Sequence, residues 1–444
     1  ISEVAQDEVG VLVGDGTYIP WSFSPHKVKK PEGVSNVLFL PGLMGSRLYK
    51  KDAFENQLWE PNRNKDVRKL FLNSAGKSII PGIYTRDIID KTNIAGGTPH
   101  VDQSLYKDFS FYMNSLVKNK LMQEWKAAPY DWRYAADSIV ENGIYTSNGK
   151  SSISVGLVQE IMVLAKTSKT KKVTIISHSN GGFIAKQLMI ELKKQNLDML
   201  IDKIILIAMP EFGTPQAISG LLYGHDQSIA GGIILHTDIA KNLGFNMPSA
   251  YTLLPSAAYF QKATQPLLID NAPVQSKAEL NVLINQKGQV NNSILHSADA
   301  LHNILDNWIP PAHTSVYQIV GTGLLTVSGI SKDAKSNPLP IYTKTGDGVV
   351  QDMYNDSLRA YNRTGTIFAV ELDNTKYKHM NIMNSKKTLD YIDLLLNSHS
   401  NTVSIQGEQK YGSVLGAEYS IFRLLASTSS LSQKVISTQD TALN

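Results

Sequence analysis

Five short, nearly unbroken apolar runs set the strongest limit on how this chain folds. They are Val37–Leu40, Val173–Ile176, Ile204–Ala208, Val316–Val320 and Thr366–Val370, each rich in branched or aromatic side chains. A strand with one wet face alternates polar and apolar residues, whereas a strand apolar throughout has to be covered on both faces. Stretches with helical spacing lie between the runs. Ile184, Leu188 and Leu192 share one face after the second run, and Leu389, Ile392, Leu395 and Leu396 share another near the end. Strands alternating with amphipathic helices predict an α/β chain with a mostly parallel central sheet flanked by helices and right-handed crossovers. With 444 residues, 42% of them hydrophobic, the chain is ample for one large core.

Two gaps are too long for simple crossovers, 46–124 and 211–312, and loops of that length carry function or structure of their own. They are expected to be a lid region and a cap insertion over a site. Residues 1–33 read as an N-terminal leader segment, 34–399 as the main domain, and 400–444 as a Ser/Thr-rich C-terminal extension or linker with one apolar stretch around Tyr419–Leu425.

Composition excludes several classes. A net charge of +4 with 18% charged residues gives no sign of a nucleic-acid binder. The absence of cysteine removes disulfides, thiolate nucleophiles and thiolate-bound metals together. Histidines and carboxylates form no short-spaced ligand set, so neither metal nor cofactor is expected. No apolar run reaches the ~18–20 residues that span a bilayer. The chain opens at Ile1 with no basic-then-apolar leader, and a processed product, secreted or in the cell envelope, is the expectation over a cytoplasmic one.

The chemistry concentrates in Ile175-Ile176-Ser177-His178-Ser179-Asn180-Gly181-Gly182. A nucleophilic serine on a sharp strand-to-helix turn needs small residues two before and two after it. Gly181 meets that need, and Ser177 replaces the usual first glycine. The pattern alone is weak; its position, directly after an apolar strand and before an amphipathic helix, is what points to a nucleophile elbow and an α/β-hydrolase fold. The elbow sets the backbone N–H of Asn180 at the positive end of a helix, where it can donate to an oxyanion. His178, although adjacent, should be turned away and pack.

Such a serine requires a base, and the base an acid, in the order Ser, Asp or Glu, His. Gly346-Asp347-Gly348 follows the fourth run, and its glycines permit a turn that presents the carboxylate inward; Asp352 and Asp356 are its rivals. His379 follows the fifth run and precedes the last helix, where the fold delivers a base. His26 and His100 precede the serine, His225, His236, His296 and His302 lie in the presumed cap, His313 precedes the fourth run, and His399 follows the last helix. The glycine-bearing loop Leu40–Ser46 after the first strand should supply the second oxyanion donor, the N–H of Leu43.

With these residues in hand, the chain resembles the lecithin:cholesterol acyltransferase and lysosomal phospholipase A family, in a bacterial form. The resemblance runs through Val37–Leu48 (VLFLPGLMGSRL), Ala127–Arg133 (AAPYDWR), Thr174–Gly182 (TIISHSNGG), Gly213–Pro215, Ser249–Ser256 (SAYTLLPS), Gly346–Val350 and Lys378–Met383 (KHMNIM). It implies Ser179, Asp347 and His379 as a triad, Leu43 and Asn180 as the oxyanion hole, and transfer or cleavage of a phospholipid acyl chain through an acyl-serine. Family members of animal origin close a lid loop with a disulfide, which this chain lacks; Trp59, in Leu58-Trp59-Glu60-Pro61, and Met44 are the candidate lid or substrate residues.

The expected activity is therefore hydrolysis of a carboxylic ester, as in a lipase, esterase or phospholipase. O-acyl transfer from a lipid to an alcohol is one alternative. A non-catalytic binding protein on the same fold is another. The partner implied is a lipid or other ester, with peripheral contact at a lipid interface left open and the oligomeric state unread.

Overall fold

In the computed structural model the described residues are 33–61, 64–90, 104–147, 152–224, 236–263, 266–287, 290–334, 338–351, 366–372 and 377–397, with the backbone of the strands at 10–12, 18–20 and 420–423. Most of the leader and of the extension, together with Asp352, Asp356, His26, His100, His225 and His399, lies outside them.

The central sheet has seven strands: β1 Asn36–Leu40, β2 Trp125–Ala127, β3 Val173–His178, β4 Ile201–Ile207, β5 Ser315–Thr322, β6 Thr366–Glu371 and β7 Ser420–Arg423. Their order across the sheet is β2-β1-β3-β4-β5-β6-β7, and every neighbouring pair is parallel. All five apolar runs are strands of this sheet. Every residue of β1 and β3 is buried, which is why neither shows alternation.

The chain runs outward from β1 to β2 and then returns to the other side of β1 as β3. Loops leaving β1 and β3 at their carboxyl ends consequently diverge, and that divergence opens the crevice in which open parallel sheets hold their sites. The strand order, the parallel crossovers and the helices between them make this an α/β-hydrolase fold.

Both long gaps carry structure. The first contributes strands Ser46–Lys51, Glu55–Trp59 and Ile83–Ile88, which pair with Ile144–Ser147 and Ser152–Val155 in a five-stranded sheet. The second is largely helical and holds a separate apolar cluster around Phe212, Leu221, Tyr251, Tyr259 and Leu280. Its strand Leu267–Ile269 pairs with Thr326–Lys332, part of the hairpin that leads from β5 to Asp347. Among the described residues no helix is long and apolar enough to cross a membrane.

Candidate active site

The elbow begins where β3 ends. Ser179 has φ +50°, in the left-handed region that a non-glycine residue adopts at a cost of order 1–3 kcal/mol. Pairing holds it there: its N–H donates to the Ile207 carbonyl at 2.8 Å, and its own carbonyl accepts from Gly182 at 2.9 Å. A helix, α1 Gly181–Lys194, follows at once, with Ile184, Leu188 and Leu192 buried. Ser177, in place of the usual first glycine, is fully buried in β3.

Glycine is required where two loops meet. A Cβ on Gly181 would lie 2.4 Å from the Leu40 carbonyl oxygen and 2.7 Å from that of Pro41; one on Gly42 would lie 3.1 Å from the Ser179 Cβ. The loop after β1 thus rests directly on the elbow. Neither the Leu43 nor the Asn180 backbone N–H has a backbone acceptor among the described residues. The Asn180 side chain does not cap α1, so the first N–H groups of that helix are left uncapped by it.

Ser179, His379 and Asp347 form one hydrogen-bonded line. The Ser179 Oγ lies 2.9 Å from His379 Nε2, and His379 Nδ1 lies 2.7 Å from Asp347 Oδ2. All three are buried, at 6%, 2% and 1% exposure, so little water competes for these bonds. Asp347 is anchored through its other oxygen, which accepts from Val349 N–H at 3.0 Å and Val350 N–H at 2.7 Å. Gly346 at φ +153° and Gly348 at φ +97° make the turn that allows this. The His379 N–H donates to the Asp347 carbonyl at 2.9 Å, tying the last two loops together through backbone as well. Because a carboxylate only accepts, His379 carries its proton on Nδ1, which leaves the Nε2 lone pair facing the serine hydroxyl.

His178 is 1% exposed and makes two bonds, from Nδ1 to the Tyr106 hydroxyl and from Nε2 to the His379 carbonyl, both at 3.0 Å. Burial, reinforced by the neighbouring His379, lowers its pKa to about 3. It is therefore a neutral packed ring beside the line. The rival histidines lie elsewhere. His302 is buried between Asp306 and the Thr252 carbonyl, His313 lies 3.6 Å from Asp198, and His236 and His296 are exposed.

Trp59 has no exposed surface. Its indole N–H donates to the Met44 carbonyl at 2.9 Å, and its ring meets Trp132 edge-on at 4.9 Å. Met44, at φ +60° and 7% exposure, is buried in the loop that Trp59 braces. In this conformation both hold the loop after β1 and present no open surface to a substrate.

Sequence reasoning missed the groups that grip this loop. Tyr130 and Trp132, inside the Ala127–Arg133 motif, reach it directly: the Tyr130 hydroxyl donates to the Pro41 carbonyl at 2.8 Å and the Trp132 indole to the Ser46 carbonyl at 3.1 Å. The resemblance flagged that motif without giving it a task. Tyr106 stood in no motif at all. Next to Asp347, Glu211 forms a buried ion pair with Lys186 and lines a cavity of about 30 Å³ together with Met209, Gln318, Asp347 and Val350. Among the described residues no cluster of three or more His, Asp or Glu is placed to hold a metal.

Residues 76–281 match the family model of lecithin:cholesterol acyltransferase. No curated protein matches the chain. Among solved structures it is similar to a chain of the Tle4–Tli4 complex, at 12% identity and a TM-score of 0.47 over 82% of this chain and 98% of that one. It is also similar to the mature form of Bacillus licheniformis lipase BlEst2, at 12% identity and 0.34 over 82% and 92%. A third likeness is to phospholipase PlaB from Legionella pneumophila, at 12% and 0.25 over 72% and 52%. The likeness to the lecithin:cholesterol acyltransferase family thus extends over residues 76–281 of this α/β-hydrolase-fold chain.

Proposed function

We propose that Ser179, His379 and Asp347 are a catalytic triad and that the chain cleaves carboxylic esters through an acyl-serine. The observation that carries this reading is the unbroken line of two hydrogen bonds, 2.9 and 2.7 Å, joining a strained serine to an imidazole and a carboxylate on three separate loops. A role in packing alone would not require the strain.

In this reading His379 Nε2 takes the hydroxyl proton as Ser179 Oγ attacks the ester carbonyl. Asp347, fixed by the Val349 and Val350 N–H groups, keeps the ring in the correct tautomer and stabilises its charged form. The Leu43 and Asn180 N–H groups receive the tetrahedral oxyanion; in comparable enzymes one such donor contributes ~3 kcal/mol to barrier lowering. His379 then protonates the leaving alcohol, and water clears the acyl-serine.

The family match supports a lipid or comparable ester as substrate, and it favours acyl transfer as a second reading, in which an alcohol replaces water in the last step. Chromogenic esters of graded chain length, with and without added alcohols, separate the two. Hydrolysis gives free acid whatever alcohol is present; transfer gives new ester in proportion to it. Ser179→Ala and His379→Ala should each abolish turnover, and wild-type turnover in either variant would sink the triad.

A further inference from the structure

Two buried tyrosines hold both polar atoms of a single peptide. The Pro41 carbonyl accepts from the Tyr130 hydroxyl at 2.8 Å, and the Gly42 N–H donates to the Tyr106 hydroxyl at 2.8 Å. These atoms belong to the peptide immediately before the Gly42–Leu43 unit, whose N–H is the proposed oxyanion donor. Each hydroxyl then reaches a residue flanking Ser179. The Asn180 side-chain amide donates to the Tyr130 hydroxyl at 3.1 Å, and the Tyr106 hydroxyl meets His178 Nδ1 at 3.0 Å.

The hydrogen-bond directions follow without ambiguity. His178 Nε2 faces the His379 carbonyl, which only accepts, so Nε2 carries the proton and Nδ1 is the acceptor. Tyr106 therefore accepts from Gly42 and donates to His178. Tyr130 does the reverse, accepting from Asn180 and donating to Pro41. Tyr106 is fully enclosed and Tyr130 is 1% exposed. Burial drives both phenols above their usual range, so each keeps the proton that it donates.

We propose that Tyr106 and Tyr130 are positioning residues that act as a paired clamp, setting the Leu43 N–H against Ser179 and thereby assembling the oxyanion hole. The proposal rests on the triad reading. It assigns the tyrosines no contact with the reacting atoms. Their effect passes through one peptide on the β1 side and through His178 and Asn180 on the elbow side. Through the His178 bond to the His379 carbonyl, the Tyr106 arm also reaches the base.

The test uses Tyr106→Phe and Tyr130→Phe in the full chain, with kcat and KM on a soluble chromogenic ester and the second-order rate of fluorophosphonate labelling. Removing an oxyanion donor outright costs ~10²–10³ in kcat, so a donor that is present but poorly aimed should cost about ten- to a hundred-fold. KM should stay within about two-fold, because the hole binds the transition state rather than the ester. Labelling should slow with kcat, since the phosphonyl oxygen needs the same donors. Tyr251→Phe is the control: its hydroxyl also donates to a carbonyl, that of Phe245, and accepts a backbone N–H, that of Asn291, but in the insertion cluster. It should lose stability and keep kcat. If either phenylalanine variant fails to fold, Asn180→Ala removes the amide arm while keeping the backbone donor, and should show the same split. Wild-type kcat and labelling rate in folded Tyr106→Phe and Tyr130→Phe would overturn the clamp alone. Labelling that persists in Ser179→Ala would overturn the triad and the clamp with it.

Discussion

A shift from pH 7 to pH 5 should destabilise the protein through His178 by an amount that its surroundings define. Burial is the largest cause of its lowered pKa, about 3 against an ordinary 6.5; the like charge that His379 can carry adds to it, and the bond to the His379 carbonyl opposes it. Between those two values the unfolded chain binds a proton that the native protein refuses. The stability is therefore fully present above pH 6.5 and declines as the pH falls through the window toward 3. Each pH unit below 6.5 removes ~1.4 kcal/mol, so the step from 7 to 5 removes about 2 kcal/mol through this group. The assay is urea denaturation of wild type and His178→Gln at both pH values. Glutamine cannot titrate, so the difference between the two pH-induced losses isolates His178. Wild type should lose about 2 kcal/mol more than the variant. Equal losses would mean that His178 is protonated in the native state, and the acceptor role of its Nδ1 would fall with that result.

Asp347→Asn should fold, yet lower kcat by ~10⁴, because an amide that donates to Nδ1 holds the wrong imidazole tautomer; steady-state kinetics beside circular dichroism would show whether both halves hold. In Gly181→Ala the new Cβ would sit 2.4 Å from a backbone oxygen of Leu40, so the loop after β1 must move off the elbow. A loss of ~1–3 kcal/mol in stability together with most of the activity is expected, and unchanged kinetics would refute the close approach. Lys186→Met takes the cation away from Glu211 in a pocket where the two are 1% and 5% exposed. Thermal denaturation should register ~3–5 kcal/mol, whereas a neutral result would mean that Glu211 finds other relief.

What the sequence made legible follows from burial. β1 and β3 are covered on both faces and so appear as continuous apolar runs, and the elbow is recognisable because its steric demands fall on adjacent residues. Asp347 and His379 could be picked by chain order, since each follows a particular strand. Edge strand β2 was not legible: Trp125-Lys126-Ala127 is short and nowhere buried, so it has no apolar signature. Nor was the clamp, whose bonds join Tyr106 to Gly42 and Tyr130 to Pro41 across 64 and 89 residues. A contact between a side chain and a distant backbone atom leaves no periodicity to read. Trp59 shows the opposite failure. The family resemblance made it a candidate lid or substrate residue, but its buried ring and its bond to the Met44 carbonyl make it a brace in this conformation.

The proposed chemistry requires the Ser179 oxygen to be the nucleophile. Mass spectrometry of peptides from fluorophosphonate-treated protein tests it most directly. A single adduct is expected on the peptide carrying Ser179, absent from Ser179→Ala and strongly diminished in His379→Ala. An adduct of equal yield on another serine, or undiminished ester turnover by protein fully modified at Ser179, would contradict it.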